Sequence, residues 1–104
     1  MAHQLTALYH HPEDVTAFDD HYEGTHAPLA AKLPGLRSLT VSRPGPDAQG
    51  NRPLYHLVVV MTWDSEDAMR ASLSSPENEE AAADLANFAQ AGMEILIGPV
   101  GTYV

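Results

Sequence analysis

The sequence predicts an α+β fold of order βαββαβ, four antiparallel strands with helices packed against them. Three patterns carry this reading. Apolar residues alternate at period two in residues 4–10 and recur at helical spacing from Val15 to Tyr22. Residues 53–63 are apolar on both alternations. A further helical pattern from Ser65 to Ala89 leads into a last apolar stretch, MEILIGPVGTYV. Alternation marks strands and a 3.6-residue recurrence marks helices.

Taken in order, residues 4–10 (QLTALYH) form a first strand with Leu5, Ala7 and Tyr9 on one face and Thr6, Leu8 and His10 on the other. Asp14 is placed to cap a helix whose inner face carries Val15, Phe18 and Tyr22. Gly24 costs about 1 kcal/mol in a helix interior and Pro28 about 3, so a break is expected between Gly24 and Ala27. Pro28 then opens a second segment, which Pro34-Gly35 closes with a turn.

Residues 36–43 (LRSLTVSR) read as a strand with one polar face, near a sheet edge. The next ten residues, PGPDAQGNRP, form an exposed hairpin loop that is expected to be mobile. In PLYHLVVVMTW (53–63), Leu54, Val58 and Val60 occupy one face and Leu57, Val59 and Met61 the other, which places this strand centrally.

Asp64 or Ser65 caps a short helix with Ala68, Met69, Ser72 and Leu73 inward. Ser75-Pro76 starts another, with Ala81, Ala82, Leu85, Phe88 and Ala89 as its apolar stripe and Glu77, Glu79, Glu80 and Asp84 on or near the solvated side. Gly92 stops it, and the Pro99 and glycines of the last strand indicate an edge position or a bulge. Right-handed crossovers give the ferredoxin-like strand order 4-1-3-2. The helices of so short a chain cover one sheet face only. A second copy of the chain is expected on the other, making a homodimer.

The segment from Phe18 to Arg37 resembles the EthD-like family of dimeric α+β barrel proteins. An apolar-aromatic helix runs into Tyr22; His26, Pro28 and Leu29 follow, then Leu33-Pro34-Gly35-Leu36-Arg37, with Trp63-Asp64-Ser65 further on. The order of elements agrees with that family from about Gln4 to Tyr103. The resemblance implies a dimeric α+β barrel close to small-molecule catabolism. Relatives of that barrel include isomerases, cyclases, cofactor-free oxygenases and proteins without known chemistry.

At 104 residues the chain is expected to be one domain, burying about two-thirds of its unfolded surface. Its net charge of −9 repels phosphate backbones and anionic membranes, so neither nucleic acid nor membrane is an expected partner. The absence of cysteine excludes disulfides, thiolate zinc sites and thiol catalysis. No basic leader and no apolar run of membrane-spanning length is apparent, and a cytoplasmic location is the expectation.

His26 with Tyr22 is the leading candidate for chemistry. Residues four apart meet on a helix face, and such a pair can relay a proton or hold a ligand oxygen. Donors at a helix start before Pro28, together with burial under Val15, Phe18 and Leu29, are expected to keep His26 neutral. The competing reading makes His26 a cap for the helix junction. Phe18, Tyr9, His56 and Trp63 are the candidates for contact with a small apolar or aromatic ligand. Packing competes for Tyr9 and Trp63, and a satisfied interior histidine for His56.

The histidines show no His-x-x-x-His or His-Glu-x-x-His spacing, and no dinucleotide or phosphate loop is present. Neither metal nor cofactor is expected. Two functions from different classes remain open: a cofactor-independent proton-transfer enzyme of catabolic or xenobiotic-degradation type, and a carrier accessory to an oxygenase system. A closed assembly module without a pocket is a third.

Overall fold

A computed structural model describes all residues, Met1–Val104. Its elements are β1 (His3–His10), α1 (Val15–His21), a π-helical turn (Tyr22–His26), α2 (Ala27–Ala30), β2 (Ser38–Ser42), β3 (Tyr55–Trp63), α3 (Glu66–Leu73), α4 (Pro76–Phe88) and β4 (Met93–Pro99). The antiparallel sheet has the order β2-β3-β1-β4, the ferredoxin-like arrangement. Leu5, Ala7 and Tyr9 of β1 stand opposite Met61, Val59 and Leu57 of β3. Except for the half-buried Met61, these side chains are buried beneath the helices with Phe18, Tyr22, Met69 and Phe88. β4 lies at an edge, where Gly98 and Pro99 at its end interrupt no inner ladder.

The expected break after Gly24 does not occur. The backbone stays in the right-handed helical region from His21 through Ala27, and the Ala27 N–H donates to Tyr22 O, five residues back. Widening one turn accommodates Pro28, which has no N–H to give, without unwinding the chain. Val15, expected inward, is 48 % exposed; the buried face of α1 begins at Phe18. A Cβ built on Gly24 meets nothing within 4 Å, and its φ is not positive. Gly24→Ala is therefore expected to raise stability by about 0.5–1 kcal/mol in a denaturant titration, with no other change.

Asp14, Ser65 and Ser75 cap α1, α3 and α4 through side-chain oxygens that accept from Ala17, Ala68 and Asn78 N–H groups. The Pro34-Gly35 turn forms with Gly35 at φ +74°, a conformation open to glycine. It is tied to the end of β3, since Arg37 donates to both Asp64 oxygens and the Arg37 N–H donates to Thr62 O. Within the 44–53 loop, Asp47 accepts from the Gln49 and Asn51 N–H groups. No helix is long and apolar enough to cross a membrane.

Two features of the sheet bear on function. The pairing of β1 with β3 slips between Tyr9 and His10, leaving His56 as an extra residue. This bulge overrides alternation: His56 turns toward α1 beside Leu57, while the Tyr55 ring lies tilted against His10 and its hydroxyl donates to Glu94. The second feature is the bare sheet face. Leu8 pairs with Val58, Thr6 with Val60 and with Leu96, and no helix covers them. The protomer measures 39 × 35 × 18 Å, its short axis the depth of one sheet and one helical layer.

Candidate active site

The space between the sheet and the helices is not filled. A cavity of about 250 Å³ has Leu5, Ala7, Tyr9, Val59 and Met61 as its floor and Tyr22, His26, Ala30 and Leu33 along one wall. Ala81 and Leu85 of α4 form the other wall, and Ile95 and Ile97 of the edge strand stand at its margin, each about half exposed (51 % and 52 %). Fifteen of the seventeen lining residues are apolar or aromatic, so its chemistry is confined to His26, Asn78 and the hydroxyls of Tyr9 and Tyr22.

His26 is 7 % exposed and makes no capping bond; its Nδ1 lies 3.0 Å from Asp84 Oδ2. Asp84, also 7 % exposed, receives His21 as well, whose Nε2 is 2.9 Å from Oδ1, and Asn87 Nδ2, 3.0 Å from the same oxygen. An ionised carboxylate only accepts, so both rings donate to it. His26 Nδ1 therefore carries the proton, and Nε2 holds a free lone pair on a ring that lines the cavity. The Phe88 ring supports both imidazoles, at 4.7 Å from His26 and 5.2 Å from His21.

Burial is the largest influence on Asp84 and would raise its carboxyl, but the bonds from Asn87, His21 and His26 together hold it below the ordinary carboxylate range. For His26, burial lowers the imidazole's affinity for a proton more than the Asp84 carboxylate restores it, and His21 adds to the lowering. The expected direction is present, with one of its two expected causes. His26 sits inside a continuous helical path rather than at a free helix start, so burial supplies the effect and backbone donors do not.

Tyr9 and Tyr22 are 3 % and 2 % exposed, with ring centroids 5.9 Å apart, and Tyr22 lies 5.5 Å from His26. Neither hydroxyl is hydrogen-bonded to a protein group, although both residues line the cavity. Burial pushes Tyr22 up to about 12 and Tyr9 higher still, the latter helped by Tyr22 and Asp84. Both remain neutral donors at any physiological pH.

Of the six residues singled out in the sequence, three thus meet at the cavity: Tyr9, Tyr22 and His26. Phe18 lies behind Tyr9 and Tyr22, packed edge-on against Tyr9 and stacked with Tyr22. His56 is held away from the cavity by the bulge; its Nε2 is 2.8 Å from Asp19, and its ring meets Phe18 edge-on. Trp63 is wholly buried at the far end of β3 and does not line the cavity. Phe18 and Phe88 also border a larger depression of about 490 Å³ between the start of α1 and the end of α4, onto which no histidine or tyrosine opens.

Asp84 and His21 complete the arrangement and were not expected in it. Asp84 was assigned near the solvated side, and this is corrected: it is buried between Ala81 and Phe88 on the inner stripe of α4. The signal was available, since positions 81, 84 and 88 share a helix face and a lone carboxylate there requires partners. The pairing of His21 with His26 was hidden, because residues five apart diverge on an α-helix. They converge here on the wide turn, whose bonds span five residues.

The EthD domain profile matches residues 10–92. An uncharacterized 11.0 kDa protein from the thcB-thcC intergenic region of Rhodococcus erythropolis is 33 % identical over 94 residues, 90 % of each chain. The crystal structure of an ethyl tert-butyl ether D (EthD) family protein from Bacillus halodurans C-125 is 35 % identical and superposes with a TM-score of 0.90, covering 97 % of this chain and 100 % of that one. At lower identity the fold recurs in SnoaB, a cofactor-independent oxygenase from Streptomyces nogalater (18 %, TM-score 0.67, 99 % and 95 % covered). It recurs also in a dimeric ferredoxin-like protein of unknown function from Thermobifida fusca (23 %, TM-score 0.72, 96 % and 92 % covered).

Proposed function

The chain belongs to the EthD domain family, and on that premise we propose that it is a cytoplasmic, cofactor-independent enzyme that moves a proton on a small, largely apolar molecule. The single observation that carries this reading is the buried dyad: Asp84 fixes the tautomer of His26 and leaves Nε2 as a base on an apolar cavity. Its depressed affinity for protons keeps that base available at neutral pH. Tyr22, beside the ring, orients the ligand. The same fold carries cofactor-independent chemistry in SnoaB. The working unit is a homodimer that joins the bare sheet faces of two copies, the assembly state named for the Thermobifida protein.

Native mass spectrometry of protein purified from its source, followed by re-addition of the released ligand to fresh protein, tests the reading. The parent is expected to convert the ligand and His26→Gln to bind it without conversion, a loss on the order of 10²–10⁴-fold for a general base. A ligand returned unchanged by the parent would make the protein a carrier.

A further inference from the structure

The two tyrosine hydroxyls are polar groups that the protein leaves unbonded in an otherwise greasy cavity, on residues 2–3 % exposed. The hydroxyls are not sealed in, unlike Trp63 Nε1 and Ser72 Oγ; they are donors open to the cavity beside a free imidazole nitrogen, where a molecule that enters can bond them. We infer that the cavity takes an uncharged carbonyl compound with an acidic C–H beside the carbonyl, Tyr9 and Tyr22 donating to its oxygen while His26 Nε2 receives the proton. This rests on the base role of His26 proposed above and adds the ligand's chemical class and an oxyanion site.

The match is chemical at each point. Both phenols stay protonated, because burial disfavours the phenolates and, for Tyr9, the neighbouring Tyr22 and Asp84 do so as well. They are donors in want of an acceptor, and a carbonyl oxygen accepts two bonds. The lining supplies no cation for a carboxylate or phosphate, so a charged ligand would lose its hydration without compensation. A volume of about 250 Å³ admits one or two fused rings, below the range of roughly 300–1,000 Å³ usual for drug-sized ligands.

In the step itself the C–H bond breaks, its proton goes to His26 Nε2, and the electron pair becomes a C=C bond. The carbonyl π pair moves onto oxygen, where the two hydroxyls hold the enolate. Return of the proton to the same carbon exchanges or epimerises it, and where a C=C adjoins that carbon, return to the far end of the dienolate isomerises the compound, with no oxidant or reductant required. Donors already aimed at the oxygen act most strongly when its charge develops, which is where such a site lowers the barrier.

The test uses 2-tetralone, an uncharged bicyclic ketone with acidic protons beside its carbonyl, and follows their exchange in D₂O by proton NMR. The full-length parent is expected to accelerate exchange, and Tyr9→Phe and Tyr22→Phe each to slow it about 10²-fold, the effect of removing one oxyanion donor. The carbonyl carbon of bound, ¹³C-labelled ketone is expected to shift downfield in the parent and to move back in each variant. Both variants are expected to be at least as stable as the parent, since each loses a hydroxyl with no protein partner.

Parental exchange rates in both tyrosine variants, alongside loss of exchange in His26→Gln, would overturn the oxyanion site and retain the base. Absence of exchange with the parent would overturn both. An unshifted carbonyl carbon, or loss of stability in the phenylalanine variants, would return the tyrosines to packing.

Discussion

Replacing Asp84 with alanine is expected to cost about 2–4 kcal/mol of stability, the scale of hydrogen bonds to a charged group plus the donors left unpaired. The carboxylate is the common acceptor for His21, His26 and Asn87, and two of the four partners, Asp84 and His26, are only 7 % exposed. Water cannot replace it freely. Asp84→Asn keeps the shape and removes the charge, so it separates packing from electrostatics. The carboxylate is the influence that raises the proton affinity of His26 against burial. Without it, the His26 titration, followed on its ring carbons by NMR, is expected to move further down. An unmoved or rising titration in Asp84→Asn would show that the carboxylate does not govern the ring.

The sign of the pH dependence follows from the same groups. The folded pKa of His26 lies below the unfolded value of about 6.5. The unfolded chain therefore binds the extra proton first, and stability present above about 6.5 falls as pH drops toward the folded value. Asp84 is also depressed, so its contribution is present above about 3.9 and is lost as pH falls below that. Denaturant titrations across this range are expected to show two descending steps. Asp84→Asn should shrink the lower one, which Asp47 and Asp64, also held low by their hydrogen bonds, share.

Val60→Glu is expected to dissociate the protein into monomers of much reduced stability. Val60 stands near the middle of the bare sheet face, opposite Thr6 in β1 and Thr40 in β2. A two-fold interface brings the same patch of both copies together, so one substitution introduces two carboxylates. Each would lose water without a counter-charge, at a cost of several kcal/mol. A specific interface buries roughly 1,200 Å² or more, and the face of a four-stranded sheet is of that order. Sedimentation velocity decides the matter: a Val60→Glu dimer would place the contact elsewhere, and a monomeric parent at micromolar concentration would remove the dimer altogether.

The strands were legible because each follows a rule that neighbours cannot easily override. Leu5, Ala7 and Tyr9 alternate with Thr6 and Leu8, and β3 is apolar on both sides, which fixed both its central place and the bare face. His26 and Tyr22 could be found because Gly24 and Pro28 mark an irregular helix around them. What could not be read were features set by non-local geometry. The bulge that turns His56 toward Asp19 depends on how β1 and β3 pair, and strand parity alone gives the face only of residues outside it. The carboxylate completing the site comes from α4, 58 residues after His26: its inward place follows from the spacing of 81, 84 and 88, but which groups it meets there does not.

The π turn has one more consequence, which concerns the number of residues rather than their kind. At 100° per residue, Phe18 and Ala30 on an unbroken α-helix would point roughly 120° apart, and no single sheet could bury both. One additional residue absorbed in a wide turn takes back most of that rotation. The buried series Phe18, Tyr22, His26 and Ala30 thus stays on one line despite its four-residue spacing. Gly24 is free to change identity, since open space surrounds it. Its deletion would leave a regular helix in which Ala30 stands about 20° from the line of Phe18, so the flanking segments would keep their faces and only the turn between Tyr22 and His26 would tighten. The wide turn thus carries one residue more than the helix needs without displacing what lies on either side of it.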